Sequence, residues 1–174
     1  KPTDSENLIG KIDDLRELLE KSIKKRPESP EANYNMGRFF LHNQKNEAAK
    51  DYLVNAINLY EDSIKMTPKR TIRQIDAMRL YGELIAEDKL YNEAQEIYAK
   101  ALSKYEAYTA QKGIYPSPVV GKLYANYGDI SYFIAGDYDE ALDAYEHAVR
   151  ELNNSPSIQY KRGYIYYQKE KYSD

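Results

Sequence analysis

Histidines and carboxylates are the residues of this chain that could carry catalytic or metal chemistry. Its two histidines, His42 and His147, belong to no nucleophile motif and to no adjacent cluster of ligands. Acidic side chains gather at Asp13 and Asp14 and again at 137–140, where carboxylates could serve acid–base catalysis or a hard cation. A helix start or a solvated helix face explains both groups. The sequence therefore predicts no catalytic residue, no metal site and no cofactor, and we do not expect an enzyme.

Basic residues form two short runs, 24–26 and 69–70, that could contact phosphates. We expect each run at a helix end, where cations offset the helix dipole. The whole chain carries 25 Lys and Arg against 28 Asp and Glu, so its net charge of -3 gives no large positive field. No apolar stretch is long enough to span a bilayer. The sequence thus predicts neither nucleic-acid binding nor direct membrane insertion.

Cysteine is absent from the sequence, which excludes disulfides, thiolate metal sites and a cysteine nucleophile. This absence suits a reducing and an oxidising compartment equally well. Localisation therefore stays open between the cytoplasm and a bacterial periplasm.

An internal repeat organises the elements that would position any site. In one copy, Gly37 is followed after twelve, four and three residues by Ala49, Leu53 and Ala56. A second copy has the same intervals: Gly82, Ala94, Tyr98 and Ala101. A third copy has one extra residue in its predicted turn: Gly128, Ala141, Tyr145 and Ala148. Residues four and three apart share a helix face, and small ones let a neighbouring helix approach closely. Each copy is predicted to be a helix, a tight turn and a second helix.

This pattern resembles the tetratricopeptide repeat, which has a glycine in its first helix and alanines around an aromatic residue in its second. The resemblance covers nearly the whole chain. It implies an all-α fold, a right-handed α-solenoid of antiparallel helical hairpins. A single domain is expected, with these parts: a partial repeat at 1–29, repeats at 30–74, 75–120 and 121–155, and the first helix of a truncated repeat at 156–174.

Two of the repeats are longer than the 34 residues of the family, at about 45 residues each. The excess equals about three helical turns, so longer helices could absorb it while keeping the phase of their buried face. We expect the helix that starts near Asn46 to run to about Met66. The helix that starts near Tyr91 should run to about Lys112, with Gly113 as its C-cap.

Tyrosine is unusually frequent, with 19 Tyr against 3 Phe and no Trp. Tyr98 and Tyr145 lie between the paired alanines, and Tyr81 and Tyr127 precede the repeat glycine, so all four are predicted to lie in the core. Tyrosines on the other face of the first helices are expected to be exposed, where an amphipathic ring suits partner binding. These are Tyr34, Tyr132, Tyr160, Tyr164 and Tyr167.

In the family that the chain resembles, first helices line a concave groove and contact a partner through residues around the glycine. Carried onto this sequence, the resemblance implies the following partner-binding residues: Tyr34, Asn35, Arg38, His42, Arg79, Glu83, Lys122, Asn126, Asp129, Tyr132, Tyr160 and Tyr164. One branch of the family clamps a partner's terminal carboxylate with Lys, Asn and Arg. In this chain only Lys122 matches the clamp, because other clamp positions hold Tyr34, Arg38 and Leu80. Recognition of the carboxyl-terminal tails of chaperones, which this branch of the family binds, is therefore not predicted.

The resemblance implies a non-catalytic protein–protein interaction module or scaffold that binds another protein or peptide in its concave groove. Two alternatives remain open. The first is a structural subunit of a larger assembly that uses the ends and convex face of the solenoid. The second is a regulatory segment of a larger enzyme. The last predicted helix, 157–171, is rich in tyrosine and lacks a partner helix, so self-association through it is a further expectation.

Overall fold

A computed structural model describes residues 4–63, 66–113, 117–152 and 155–171, and these residues form eight α-helices and one short π-helix without any strand. The chain divides into two compact units, Lys1–Met66 and Thr67–Asp174. They are called unit 1 and unit 2, and each is described by itself.

Unit 1 contains α1 (Asp4–Lys25), α2 (Pro30–His42) and α3 (Asn46–Glu61). A short turn joins α2 and α3 into a helical hairpin, and α1 packs on α2. Apolar side chains from the facing sides of the hairpin, such as Met36 and Leu53, are fully buried.

Unit 2 contains two hairpins and a final helix. Its elements are α4 (Pro68–Glu87), α5 (Tyr91–Lys112), α6 (Pro118–Ile130), a π-helix (Ser131–Ala135), α7 (Tyr138–Glu151) and α8 (Pro156–Lys171). Helix α4 pairs with α5, α6 pairs with α7, and α6 also packs on the first of these hairpins. Helix α8 packs on α7. The predicted all-α class and the helical hairpins are confirmed.

Every first helix of a hairpin begins at a proline that follows serine or threonine. Proline fits the first helical position because its missing N–H would have no partner there, and the preceding hydroxyl can cap the helix. The Ser29 hydroxyl accepts from the Ala32 N–H at 3.2 Å, and the Thr67 hydroxyl accepts from the Arg70 N–H at 3.3 Å. In unit 2, Asp137 caps α7 by accepting from the Glu140 N–H at 2.9 Å, so this acidic group starts a helix as predicted.

The extra length of the second hairpin lies at the front of its first helix, where the sequence prediction was wrong. Helix α3 ends at Glu61 rather than near Met66, whereas α4 begins at Pro68, well before Gly82. Because α4 starts at Pro68, Lys69 lies in its first turn. The run 69–70 was expected at the helix end that favours cations, but the first turn is the positive end of the helix dipole and does not favour them. The repeat limits predicted after residues 74 and 120 accordingly fall within α4 and α6.

The prediction for α5 is confirmed, since it spans Tyr91–Lys112 and is capped by Gly113 at a φ of 87°. Within the first two hairpins, the turn between the helices uses a left-handed residue that is not glycine, Gln44 at 57° and Lys89 at 66°. In the third hairpin the left-handed residue is Gly136. The extra residue of this copy lies in the π-helix before Gly136, not in the turn as expected.

Close helix approach at the repeat glycines is confirmed. A Cβ atom on Gly37 would lie 2.8 Å from Leu53 Cγ, and one on Gly128 would lie 2.8 Å from Tyr145 Cε1. Gly82 has the same relation to the Tyr98 ring. Alanines on either side of these contacts are fully buried: Ala49, Ala56, Ala94, Ala101, Ala141 and Ala148.

Candidate functional site

A groove between α1 and α2 in unit 1 collects three of the predicted partner-binding residues. Its volume is about 440 Å³, and its lining combines apolar walls with a polar rim: Ile12, Leu15, Leu19, Asn35, Arg38, Phe39, His42 and Asn43. The predicted residues Asn35, Arg38 and His42 are exposed along this rim. Leu15 is 48% exposed, which leaves apolar surface open to a partner. This feature is the unit 1 groove.

The apolar wall from α1 was missed by the sequence-based site prediction. Leu15 and Leu19 are four residues apart in the sequence and therefore share one face of α1. In the structure, Ile12 and Leu15 remain partly exposed beside α2. The apolar spacing of α1 was therefore the signal that could have placed these residues in the site.

Tyr34 is buried rather than exposed, which corrects its predicted place in the groove. Its side chain is only 5% exposed, and the Arg38 guanidinium carbon lies 5.5 Å from the centre of its ring. This is a cation–π contact. Tyr34 therefore supports Arg38 from within unit 1.

A second groove lies across α4, α5 and α6 in unit 2. Its volume is about 390 Å³, and it is lined by Glu83, Ala86, Glu87, Tyr98, Asn126, Asp129 and Ile130. The predicted residues Glu83, Asn126 and Asp129 therefore come together here. This feature is the unit 2 groove.

Glu83 joins a hydrogen-bond network that holds α4 to α6. Arg79 donates to Asp76 Oδ1 from Nε at 2.9 Å and from Nη2 at 2.7 Å, and it donates to Glu83 Oε1 from Nη1 at 2.5 Å. The Asn126 amide also donates to Glu83 Oε1, at 2.7 Å. Burial lowers the pKa of Arg79, but Asp76 and Glu83 outweigh it, so the pKa is raised. Arg79 was predicted to contact a partner, but it is only 8% exposed and is not among the residues that line the unit 2 groove, so it is a structural cation.

Asp129 is held by partners from the two following helices. It accepts from the Tyr145 hydroxyl at 2.6 Å and from Lys161 Nζ at 2.5 Å and 2.8 Å. Burial, reinforced by the hydrogen bond to Asp129, raises the pKa of Tyr145, and burial with the nearby charge of Glu83 raises that of Tyr98. Both phenols therefore stay neutral and can donate hydrogen bonds. Their burial confirms the prediction that they belong to the core.

Tyr81 and Tyr127 are half-buried, so their assignment to the core was wrong. The Tyr127 hydroxyl donates to Glu140 Oε1 at 2.6 Å, and the Ser131 hydroxyl donates to the other oxygen of this carboxylate at 2.8 Å. Burial and the hydrogen bond to Glu140 raise the pKa of Tyr127 to about 12. A polar tip beside a carboxylate explains why this ring lies at the edge of the core.

Aromatic residues gather on the exposed end of unit 2. The Tyr132 ring centre lies 4.5 Å from that of Phe133, 5.6 Å from Tyr138 and 6.4 Å from Tyr164. The exposed members of this terminal aromatic surface are Phe133, Tyr138, Tyr160, Tyr164 and Tyr167.

Tyr160 and Tyr164 are 75% and 42% exposed, as predicted, whereas Tyr132 is half-buried among neighbouring rings. Lys122 is exposed on α6 but lines neither the unit 1 groove nor the unit 2 groove. Over the described ranges, no helix is long and apolar enough to cross a membrane. The same residues hold no group of three His, Asp or Glu side chains that could bind a metal ion.

Antiparallel helical hairpins with small residues at their contacts define a helical-repeat protein. A family model described as "Tetratricopeptide repeat" matches residues 30–69, and one described as "TPR repeat" matches residues 131–170. Residues 30–69 and 131–170 are therefore tetratricopeptide repeats. Such repeats generally mediate protein–protein interaction and are typically non-catalytic.

No curated protein matches the chain. Among solved structures, 35 chains are similar to it, including one from a structure described as "Functional Characterization of Pseudomonas Aeruginosa pilF". That match has a TM-score of 0.69 and 19% sequence identity, and it covers 95% of this chain. This chain spans 65% of the length of that relative. At this identity the likeness concerns the fold alone.

Proposed function

We propose that the chain is a non-catalytic interaction module that binds a partner polypeptide along its first helices, with the unit 1 groove as the principal contact. The observation that supports this proposal is the combination of an exposed apolar wall on α1 with the polar rim of α2. Binding sites commonly pair apolar surface with a few polar groups that fix orientation. The general role of tetratricopeptide repeats in protein interaction agrees with it.

The two sides of the unit 1 groove would contribute differently to binding. Leu15 and Ile12 would cover an apolar side chain of the partner, and burial of apolar area supplies about 25 cal/mol per Å² before the costs of association. Asn35 and Arg38 would donate hydrogen bonds to carbonyl or carboxylate oxygens of the partner. This division of labour favours a segment that carries an apolar side chain next to an acidic one.

The unit 2 groove would offer a separate contact, which consists of hydrogen-bond acceptors. Glu83 and Asp129 are carboxylates that already accept from groups of the chain, and each oxygen can accept more than one hydrogen bond. Backbone N–H groups or basic side chains of the partner suit these positions. We therefore propose a weaker, orienting contact here.

The experiment uses a random peptide library displayed on phage as the probe, with the full chain as bait. Selected peptides are measured by calorimetry against the chain and against Leu15→Ser, which should weaken binding by about tenfold through the lost apolar contact. Leu18→Ser is the matched control, because Leu18 lies on the same helix, is 64% exposed and is outside the groove lining. Equal affinities for the two variants, with helical content unchanged, would rule out the unit 1 groove.

A second candidate function is that of a subunit in a larger assembly, which the terminal aromatic surface favours. Exposed rings such as Phe133, Tyr160 and Tyr164 are enriched at protein interfaces, and they could support self-association through α8. Sedimentation of the chain at increasing concentration tests this candidate. A rising mass that Tyr160→Ser combined with Tyr164→Ser abolishes is expected, whereas a constant monomer mass removes self-association.

A further inference from the structure

A further cavity, separate from the unit 1 groove and the unit 2 groove, lies between α5, α6 and α7 of unit 2. Its volume is about 280 Å³, and three carboxylates line it: Glu106 from α5, and Glu140 and Asp143 from α7. The described residues of its lining include neither Lys nor Arg. This feature is the acidic cavity.

Glu140 is held at the acidic cavity by neutral donors. Its Oε1 accepts from the Tyr127 hydroxyl, and its Oε2 accepts from the Ser131 hydroxyl at 2.8 Å and from the Gln95 amide at 3.4 Å. These hydrogen bonds orient the carboxylate, but none of them brings a positive charge. Within the described residues, the negative charge of Glu140 is therefore not balanced by a cation.

The other two carboxylates of the acidic cavity are exposed and also lack a lysine or arginine partner. Glu106 forms no ion pair with a described residue. Asp143 Oδ2 lies 3.7 Å from Nδ1 of His147, but this nitrogen is nearer, at 3.0 Å, to the backbone oxygen of Asp143. Three carboxylates around one concave surface without a paired lysine or arginine favour a cation from outside.

Tyr124 adds a buried polar group that faces the acidic cavity. It is 8% exposed, and its ring stacks on His147 with 4.8 Å between the ring centres. Its hydroxyl forms no hydrogen bond with any described residue, although the side chain lines the cavity. A buried hydroxyl without a partner costs free energy, which a donor in the cavity would recover.

The charges around Tyr124 also determine what kind of donor suits it. Burial raises the pKa of Tyr124 to about 12, and the negative charges of Glu106 and Asp143 contribute to this shift. The phenol therefore stays neutral, and its oxygen can accept a hydrogen bond. The same negative charges that oppose a phenolate favour a positively charged donor beside it.

An organic cation suits the acidic cavity better than a metal ion does. In the part of the chain that the structure describes, no three acidic side chains lie close enough together to bind a metal. The lining also contains apolar groups, such as Leu102 and Ala144, that an alkyl chain could contact. A guanidinium binds a carboxylate best through both oxygens at once, but both oxygens of Glu140 already accept hydrogen bonds. An ammonium is a compact charge with three donors and needs no such free edge.

We infer that the acidic cavity binds an alkylammonium group. The Tyr124 hydroxyl accepts from the ammonium, and Glu106 and Asp143 attract its charge. Leu102 and Ala144 cover the alkyl chain. A lysine side chain of another protein and a free diamine supply this same chemistry. The inference is independent of the unit 1 groove, since it concerns another surface in another unit.

Two probes distinguish these sources: pentane-1,5-diamine, and a capped pentapeptide with one lysine among alanines. Binding to the full chain is followed by NMR at constant ionic strength, from the amide signals of Ser103 and Ala144. Saturable shifts with at least one probe are expected. Tighter binding of the peptide would assign the site to a protein lysine, and tighter binding of the diamine would assign it to a free amine. A peptide with norleucine in place of lysine should not bind, because it keeps the alkyl chain without the charge.

Two variants test the assigned residues. Tyr124→Phe should weaken binding about tenfold, because it removes a hydrogen bond to a charged group. Its thermal stability should match that of the unmodified chain, since the hydroxyl has no described partner to lose. Glu106→Gln should weaken binding about threefold, as expected for an exposed charge pair. Glu96→Gln is the matched control, because Glu96 is exposed on the same helix, loses the same charge and lies outside the cavity lining.

Four results would overturn the inference. The first is the absence of saturable shifts with both probes, and the second is an unchanged affinity in Tyr124→Phe and Glu106→Gln. The third is an equal loss in Glu106→Gln and Glu96→Gln, which would show a general attraction by negative charge. The fourth is equally tight binding of a pentapeptide with arginine in place of lysine, which would remove the assignment to an ammonium group.

Discussion

The unit 1 groove and the unit 2 groove use equivalent repeat positions in opposite ways. The residue after the repeat glycine is Arg38 in unit 1, where the guanidinium is exposed beside open apolar surface. In unit 2 the same position holds Glu83 and Asp129, which accept hydrogen bonds from Arg79, Asn126 and Lys161. One repeat position is therefore exposed in one hairpin and joins helices of the same chain in the two others.

Replacing the buried arginine of unit 2 should have the largest effect. Arg79→Ala leaves the Asp76 carboxylate, in a residue that is 6% exposed, without its arginine, and breaking such a pair costs about 3 kcal/mol of unfolding free energy. Arg38→Ala should change stability by no more than about 0.5 kcal/mol, because its side chain is exposed. Urea unfolding followed by circular dichroism compares the two. Similar losses would contradict the distinction between structural and available arginines.

A methyl group at the repeat glycine should have an intermediate effect that differs between the units. Gly82→Ala pushes a Cβ atom into the rigid Tyr98 ring, and overpacking of this kind costs about 2 kcal/mol. Gly37→Ala should cost less, about 1 kcal/mol, because the branched Leu53 chain adjusts more easily than an aromatic ring. Thermal unfolding measures both variants, and a larger loss for Gly37→Ala would reverse the expected order.

The smallest effect at neutral pH is expected for Tyr127→Phe in unit 2. Losing the hydrogen bond to Glu140 should cost about 0.5 kcal/mol at this partly exposed site. The pKa of Tyr127 is raised from 10.0 to about 12, so its contribution is complete below pH 10 and is lost as the pH rises through about 12. Stability measured across this interval should fall less steeply in Tyr127→Phe. Parallel pH profiles for the two proteins would contradict this role.

Small-residue spacing was enough to predict the helical hairpins and their contacts. Gly82, Ala94 and Ala101 predicted one close helix pair because only small residues permit such an approach. The start of α4 was missed, although Thr67 and Pro68 carry the same signal as Ser29 and Pro30. A count of surplus residues does not say which helix holds them, whereas a capping signal does.

The polar interior of unit 2 could not be predicted from spacing. The hydrogen bond between Asn126 and Glu83 joins residues 43 positions apart, and repeat positions gave both of them the role of contacting a partner. Whether a charged side chain contacts solvent or a neighbouring helix depends on which opposite charge lies within reach. Arg79 and Lys161 provide those charges here. The packing of the helices determines which carboxylates they can contact.

The π-helix at Ser131–Ala135 accommodates one inserted residue without loss of the Gly128–Tyr145 contact. A genetic deletion of one codon within it would return the segment to the α-helical register of the other two hairpins. The residues left in this segment would then be spaced by about 100° around the helix axis, as in a regular α-helix. A deletion before Phe133 should keep the hairpin but redirect this exposed ring, so a single codon can alter the exposed aromatic chemistry of this end while sparing its fold.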